Sequence, residues 1–197
     1  MSFETKIKLL VSRNTILKKG VNWLRFMHLG IANHFVNRIP SYRVRKYIYK
    51  HLYFMKIGKH SNIQMGVRFY APNKITIGNN CSIGYNSLLD GRRGIIIKNN
   101  VDLAGEVRIM TLGHDLNDVD YKTVGDSVII NDNASIFMGA SILPGRIIEK
   151  GSVIALGSIV TKNTESWCVY AGNPARKIGK RKINSLQYLR NYKRYFH

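Results

Sequence analysis

The chain has 197 residues, with 31 Lys and Arg against 11 Asp and Glu and a formal net charge of +20 at pH 7. That length accommodates one domain with appendages and a real core. No run of eighteen apolar residues occurs and no uninterrupted apolar leader opens the chain, so neither a membrane span nor a secretory signal is expected, and the cytoplasm is the expected compartment.

The charge is uneven along the chain. Residues 1–56 carry +11 and residues 176–197 carry +8, while the stretch between them carries +1. Basicity therefore belongs to the flanks, which fits either a nucleic-acid binder or a protein that sits peripherally on an anionic membrane. The organisation expected is a basic helical region over 1–56, a β domain over 57–178 with an inserted loop at 111–128, and a basic C-terminal helix over 179–197.

Residues 5–37 read as helical, with Trp23, Leu24, Met27, Ile31 and Phe35 on one face and Pro40 as the stop. A second helical segment, 42–54, interleaves Arg43, Arg45, Lys46 and Lys50 with Tyr47, Ile48, Leu52 and Phe54. Such a segment suits a lipid headgroup layer, and it equally suits a cap over an open sheet edge; one helix can serve both.

From Ile57 the pattern changes to a period of six. Ile57, Ile63, Ile77, Ile83, Ile97 and Leu103 mark it first, and it resumes at Ile130, Ile136, Ile142, Ile148, Ile154 and Val160, with Ala134, Ala140, Ser152 and Ser158 at the fifth place of their units. Six fits neither the 3.6 of a helix nor the 2.0 of a strand. It fits a triangular coil in which each unit is a short strand plus a corner and the opening aliphatic points to the axis. Eighteen residues close one coil; the spacing of twenty from Ile57 to Ile77 to Ile97 predicts a two-residue bulge at a corner near Ile75 and Ile95. Cys81 occupies the small inward place of its unit and reads as a core thiol; neither it nor Cys168 shows metal or redox spacing.

One segment interrupts the rhythm, from about Thr111 to Val128, and it contains Gly113-His114-Asp115. A polar loop ejected from a repeat scaffold is a common seat of function. His114 is its candidate general base, because imidazole titrates near neutrality and can take a proton from an attacking hydroxyl or amine. The C-terminal run from Lys180 places Ile183, Leu186 and Leu189 on one helical face.

The repeat, the Gly113-His114-Asp115 loop, the run from Ile136 to Gly145, Gly157-Ser158-Ile159-Val160-Thr161-Lys162 and Ala171-Gly172-Asn173-Pro174-Ala175-Arg176 together resemble the hexapeptide-repeat acyltransferases. The resemblance covers about 57–178 and is closest to the galactoside, maltose and surface-polysaccharide O-acetyltransferase branch. It implies a mainly β fold, a left-handed parallel β-helix, assembled as a homotrimer, with acetyl-CoA as donor, no metal, and a sugar or glycan acceptor in polysaccharide biosynthesis. It implies His114 as the general base, Gly139, Ala140, Leu156, Thr161, Lys162 and Arg176 at the cofactor, and Asn86, Asp90 and Asp115 near the acceptor. Backbone N–H groups near Gly139 would stabilise the oxyanion. Leu156 departs from the small residue usual in the family, and Phe137 stands where Trp is common. Nucleic acid is not an expected partner on this reading, and the basic flanks suggest contact with the inner face of the cell membrane. The rival is a non-catalytic scaffold or a nucleic-acid- or membrane-binding module, which leaves the His114 loop unexplained.

Overall fold

A computed structural model of the chain describes residues 15–187 and Leu189. Helix α1, Thr15–His34, leads through a short 3-10 turn, Val36–Arg38, into helix α2, Tyr42–His51. Ser41 caps α2 by accepting from the Val44 N–H. From Lys56 the chain winds into a three-faced prism of parallel strands.

The first face stacks Lys56–Ile57, Ile75–Ile77, Ile95–Ile97, Val128–Ile130 and Ile147–Ile148 in register. The second begins with Asn62–Ile63 and Ser82–Ile83 and ends in the Cys168–Gly172 strand, on which Ala175–Lys180 folds back antiparallel. The third runs from Arg68–Tyr70 to Ile159–Val160. This is the mainly β, three-sided coil expected from the six-residue period, with its parallel strands stacked as in the left-handed β-helix that the family resemblance implied. Ile57, Ile63, Phe69, Ile77, Ile83, Leu89, Ile97, Leu103, Ile109 and their equivalents from Ile130 to Val160 are all buried along the axis. Each such side chain contributes about 1.5–3 kcal/mol relative to exposure.

The expected bulge takes the form of a longer strand on the first face. Ile75 and Ile77, like Ile95 and Ile97, both point inward, so the two extra residues add one alternation of the pleat. Ala134, Ala140, Ser152 and Ser158 are buried at the corners, and so is Cys81, whose thiol burial pushes up in pKa. The corner after the first face repeats one backbone conformation down the stack: His60, Asn80, Asn100 and Asn133 all adopt φ between 55° and 63°. Asn tolerates that left-handed region because its short side chain bonds locally.

The open N-terminal end of the prism is closed by α2. Arg45 is fully buried and its guanidinium donates to the Ile63 carbonyl, at 2.8 Å from Nη2, and to the Ile39 carbonyl. Lys46 Nζ donates to the Gly58 and Ser61 carbonyls at 2.7 and 3.0 Å. Two cations of this segment therefore serve the cap.

The C-terminal helix expected over 179–197 is not found where the chain is described. Ala175–Lys180 is a strand, held by pairing with Cys168–Gly172, and 181–187 is irregular. Residue 188 and residues 190–197 lie outside the described residues. The helical spacing of Ile183, Leu186 and Leu189 does not prevail there, because the strand before it is fixed by the coil's edge.

Candidate active site

The chain leaves the prism after the third-face strand Arg108–Ile109 and returns at Val128. Both ends of this excursion are pinned. Thr111 is buried; its N–H donates to Asp90 Oδ2 at 3.3 Å, its hydroxyl donates to the Asp90 carbonyl at 2.7 Å, and it accepts from the Arg93 N–H at 2.9 Å. On the return side, a Cβ at Gly125 would lie 2.2 Å from the Thr111 carbonyl oxygen, so only glycine lets the two arms cross.

His114 stands on the outgoing arm, paired antiparallel with Thr123. Its ring is exposed, its Nδ1 lies 2.8 Å from the Tyr121 carbonyl oxygen, and it stacks on the Tyr121 ring with centroids 4.2 Å apart. A carbonyl can only accept, so neutral His114 carries its proton on Nδ1 and presents the Nε2 lone pair outward. Tyr121 reaches this position with φ at 53°, its own N–H donating to the Asp118 carbonyl. Asp115 does not orient the imidazole: its carboxylate accepts from the Asn117 N–H at 3.0 Å and closes the loop turn.

Asp90 is fully buried beneath the loop root. Burial alone would raise its pKa, but the Arg92 side chain, the Arg92 and Thr111 N–H groups and the Arg92 charge together hold it below the usual carboxylate range. The Arg92 guanidinium grips both carboxylate oxygens, at 2.8 and 3.0 Å, and lies 5.2 Å from the Tyr70 ring centroid. Tyr70 also lines a cleft of about 270 Å³ between α1 and the third face, with Phe26, Leu29, His34, Arg68 and Leu88. Asn86 lies at another corner of the same coil as Asp90, with φ at 54° and its side chain over Gly66.

The corner after the second face holds a different surface. Tyr85, Gly105, Met138 and Leu156 occupy equivalent places in successive coils. The Tyr85 ring lies over Gly105, and its hydroxyl meets Met138 Sδ at 3.8 Å. Leu156 is 71% exposed and Phe137 50%. Beside this apolar ridge, Gly139 and Gly157 stand one above the other with φ at 71° and 66°, and a Cβ on Gly157 would meet nothing within 4 Å. The result is a strip of bare backbone beside an apolar ridge, running along the prism axis.

Neither a family profile nor a curated protein sequence matches the chain. Solved structures do. A maltose O-acetyltransferase from Clostridium difficile 630 is 28% identical, with a TM-score of 0.68 over 87% of this chain and 91% of that one. A galactoside acetyltransferase in complex with coenzyme A is 26% identical, with a TM-score of 0.71 over 84% and 86%. A hexapeptide-repeat acetyltransferase from Vibrio cholerae O1 biovar eltor, complexed with acetyl coenzyme A, is 22% identical, with a TM-score of 0.74 over 80% and 87%. The chain has the fold of the hexapeptide-repeat acetyltransferases.

On this coil the residues singled out from sequence do not form one cluster. His114 and Asp115 share the loop at the corner after the third face, with Asp90 at its root; Thr161 and Lys162 lie at the same corner in a later coil. Gly139, Ala140 and Leu156 line the corner after the second face. Arg176 is exposed on the terminal hairpin. The N–H groups of Gly139 and Ala140 donate to the Gly105 and Phe137 carbonyls, so these two amides are not the oxyanion donors expected there. Sequence reasoning missed Tyr121, whose contribution is partly a backbone carbonyl and leaves no side-chain signature. It also missed Thr111, which leaves no charge signature, and Arg92, whose only signal was a charged pair with Asp90 two residues apart, one coil before the break.

Proposed function

We propose that this protein moves an acetyl group from acetyl-CoA to a hydroxyl, or an amine, of a sugar in a surface-polysaccharide or lipid-linked glycan precursor. The observation that carries the reading is the His114–Tyr121 pair: a carbonyl fixes the tautomer, and an outward Nε2 stands ready to accept a proton. In a ternary complex His114 Nε2 removes the acceptor proton while the acceptor oxygen or nitrogen attacks the thioester carbonyl. The thiol of CoA then leaves with a proton returned from the imidazolium. The strip beside Gly139 and Gly157 suits the pantetheine arm, where backbone can approach closely and Leu156 and Met138 supply apolar contact. Lys162 and Arg176 suit the phosphates. The cleft beside Tyr70 suits the acceptor, and Arg92, which lies over the Tyr70 ring, ties that ring to Asp90 at the loop root.

The two halves of this site lie at different corners of one prism, a face apart, or roughly 15–20 Å at about 3.3 Å per residue. A homotrimer, in which the loop corner of one chain meets the bare-backbone corner of its neighbour, supplies both halves to one site and supports that assembly. His114→Ala should lower turnover about 10²- to 10⁴-fold and leave the acetyl-CoA Kd little changed, read by steady-state kinetics on a panel of acceptor sugars and by calorimetry. Undiminished turnover would remove His114 from the reaction.

A further inference from the structure

Helix α1 presents its apolar face away from the protein. At 100° per residue, Val21, Trp23, Leu24, Met27 and Ile31 form one continuous stripe. Packing holds the other side. Ala32 is buried, Asn33 exchanges hydrogen bonds with the Phe69 backbone at 2.8 and 2.9 Å, and the His28 carbonyl accepts from the Tyr53 hydroxyl at 3.0 Å. Trp23 remains 64% exposed, Leu24 53%, Met27 43% and Ile31 40%. The apolar face read from the sequence is thus the outward one, and the helix is anchored through its last turns. An apolar stripe of this extent on a helix surface marks an interaction site.

The electrostatic setting selects the occupant. Between Glu4 and Asp90 the sequence contains no Asp or Glu at all. Lys18, Lys19 and Arg25 lie on α1, and Arg38, Arg43 and Lys50 follow, all exposed. A second copy of this stripe would bring the same cations against themselves. An anionic lipid surface takes both the apolar side chains and the cations, with Trp23 at headgroup depth. No helix among the described residues is long and apolar enough to cross a membrane, so the geometry is that of a helix lying in the interface.

We propose that α1 is an in-plane docking helix for anionic lipid, with Trp23, Leu24, Met27 and Ile31 inserted and Lys18, Lys19 and Arg25 among the headgroups. The inference deepens the reading of a membrane-presented acceptor by naming the surface that meets the membrane.

The test uses the full chain with vesicles of phosphatidylcholine alone and of phosphatidylcholine mixed equally with phosphatidylglycerol, in low salt. Co-sedimentation with the mixed vesicles only, a blue shift of Trp23 emission in a Trp167→Phe background, and loss of binding on raising salt are expected. Each cation at the surface is worth about fivefold in affinity, so Lys18→Glu/Lys19→Glu should weaken binding by at least about 25-fold. Met27→Asp, which inserts a charge into the stripe, should abolish binding. Acetyl-CoA binding, measured on the same samples, should be unchanged in all variants and certifies the fold. Absence of vesicle binding by a chain that still binds acetyl-CoA overturns the docking helix and leaves the acyl-transfer reading standing. Failure to bind acetyl-CoA with vesicle binding intact does the reverse. A Met27→Asp chain that sediments as a smaller species than the unmodified chain without lipid would mean that a second copy covers the stripe, and would also overturn the proposal.

Discussion

His114 is useful as a base only with its acceptor nitrogen outward, and a backbone oxygen seven residues later decides which nitrogen that is. Asp90 acts at one remove, through Thr111 and Arg92, on the root of the same loop. Because its folded pKa lies below the ordinary value near 4, its ionised form stabilises the fold at neutral pH, and that contribution is lost as pH falls through the lowered folded value. Asp90→Asn should therefore be less stable than the unmodified chain at pH 7, with the gap closing as pH drops below about 4. Urea midpoints across that range measure it; a gap independent of pH would assign the loss to packing instead. The chemistry at this scale was half legible. Gly113-His114-Asp115 stood out because it broke a repeat, whereas Asp115 and Asp90 looked alike in sequence as acceptor ligands. The fold gave one to a loop turn and buried the other under the exposed Arg92 guanidinium.

Among the elements, α2 shows why a basic, aromatic segment cannot be assigned by pattern alone. Arg45 and Lys46 turn into the first coil because its carbonyls have no further strand to accept from. A buried carbonyl without a donor costs about 1–3 kcal/mol. Burial lowers the Arg45 pKa, and Tyr49 beside it opposes that shift. Arg45→Met keeps the stem and strands the Ile63 and Ile39 carbonyls; it should cost about 2–4 kcal/mol, seen as a lower denaturation midpoint. Arg43→Met, on the exposed side of the same helix, should be nearly silent in that measurement. Helix α1 is the converse case: its period of apolar residues was plain, but the direction the stripe faced was not.

At the scale of the molecule, the prism separates chemistry into corners, and the proposed trimer rejoins it across chains. This has a direct consequence for mixtures. A His114→Ala chain keeps the bare-backbone strip, and a Gly157→Phe chain fills that strip but keeps His114. Each alone should be inactive; co-folded in equal amounts they should recover about a quarter of the unmodified sites, since one interface in four pairs the two intact halves. No recovery in verified mixed trimers would place the whole site within one chain. The sequence alone determined the coil, because an inward aliphatic every sixth residue is satisfied only by a three-sided stack, and every such residue from Ile57 to Val160 is buried where that period puts it. It also determined where the coil breaks. Only the tertiary structure decided which nitrogen of His114 faces outward, which of two cation-rich helices caps the prism, and which way the stripe of α1 points. Those outcomes depend on backbone carbonyls and on the direction of neighbouring elements, and neither is written in the identity of any single residue.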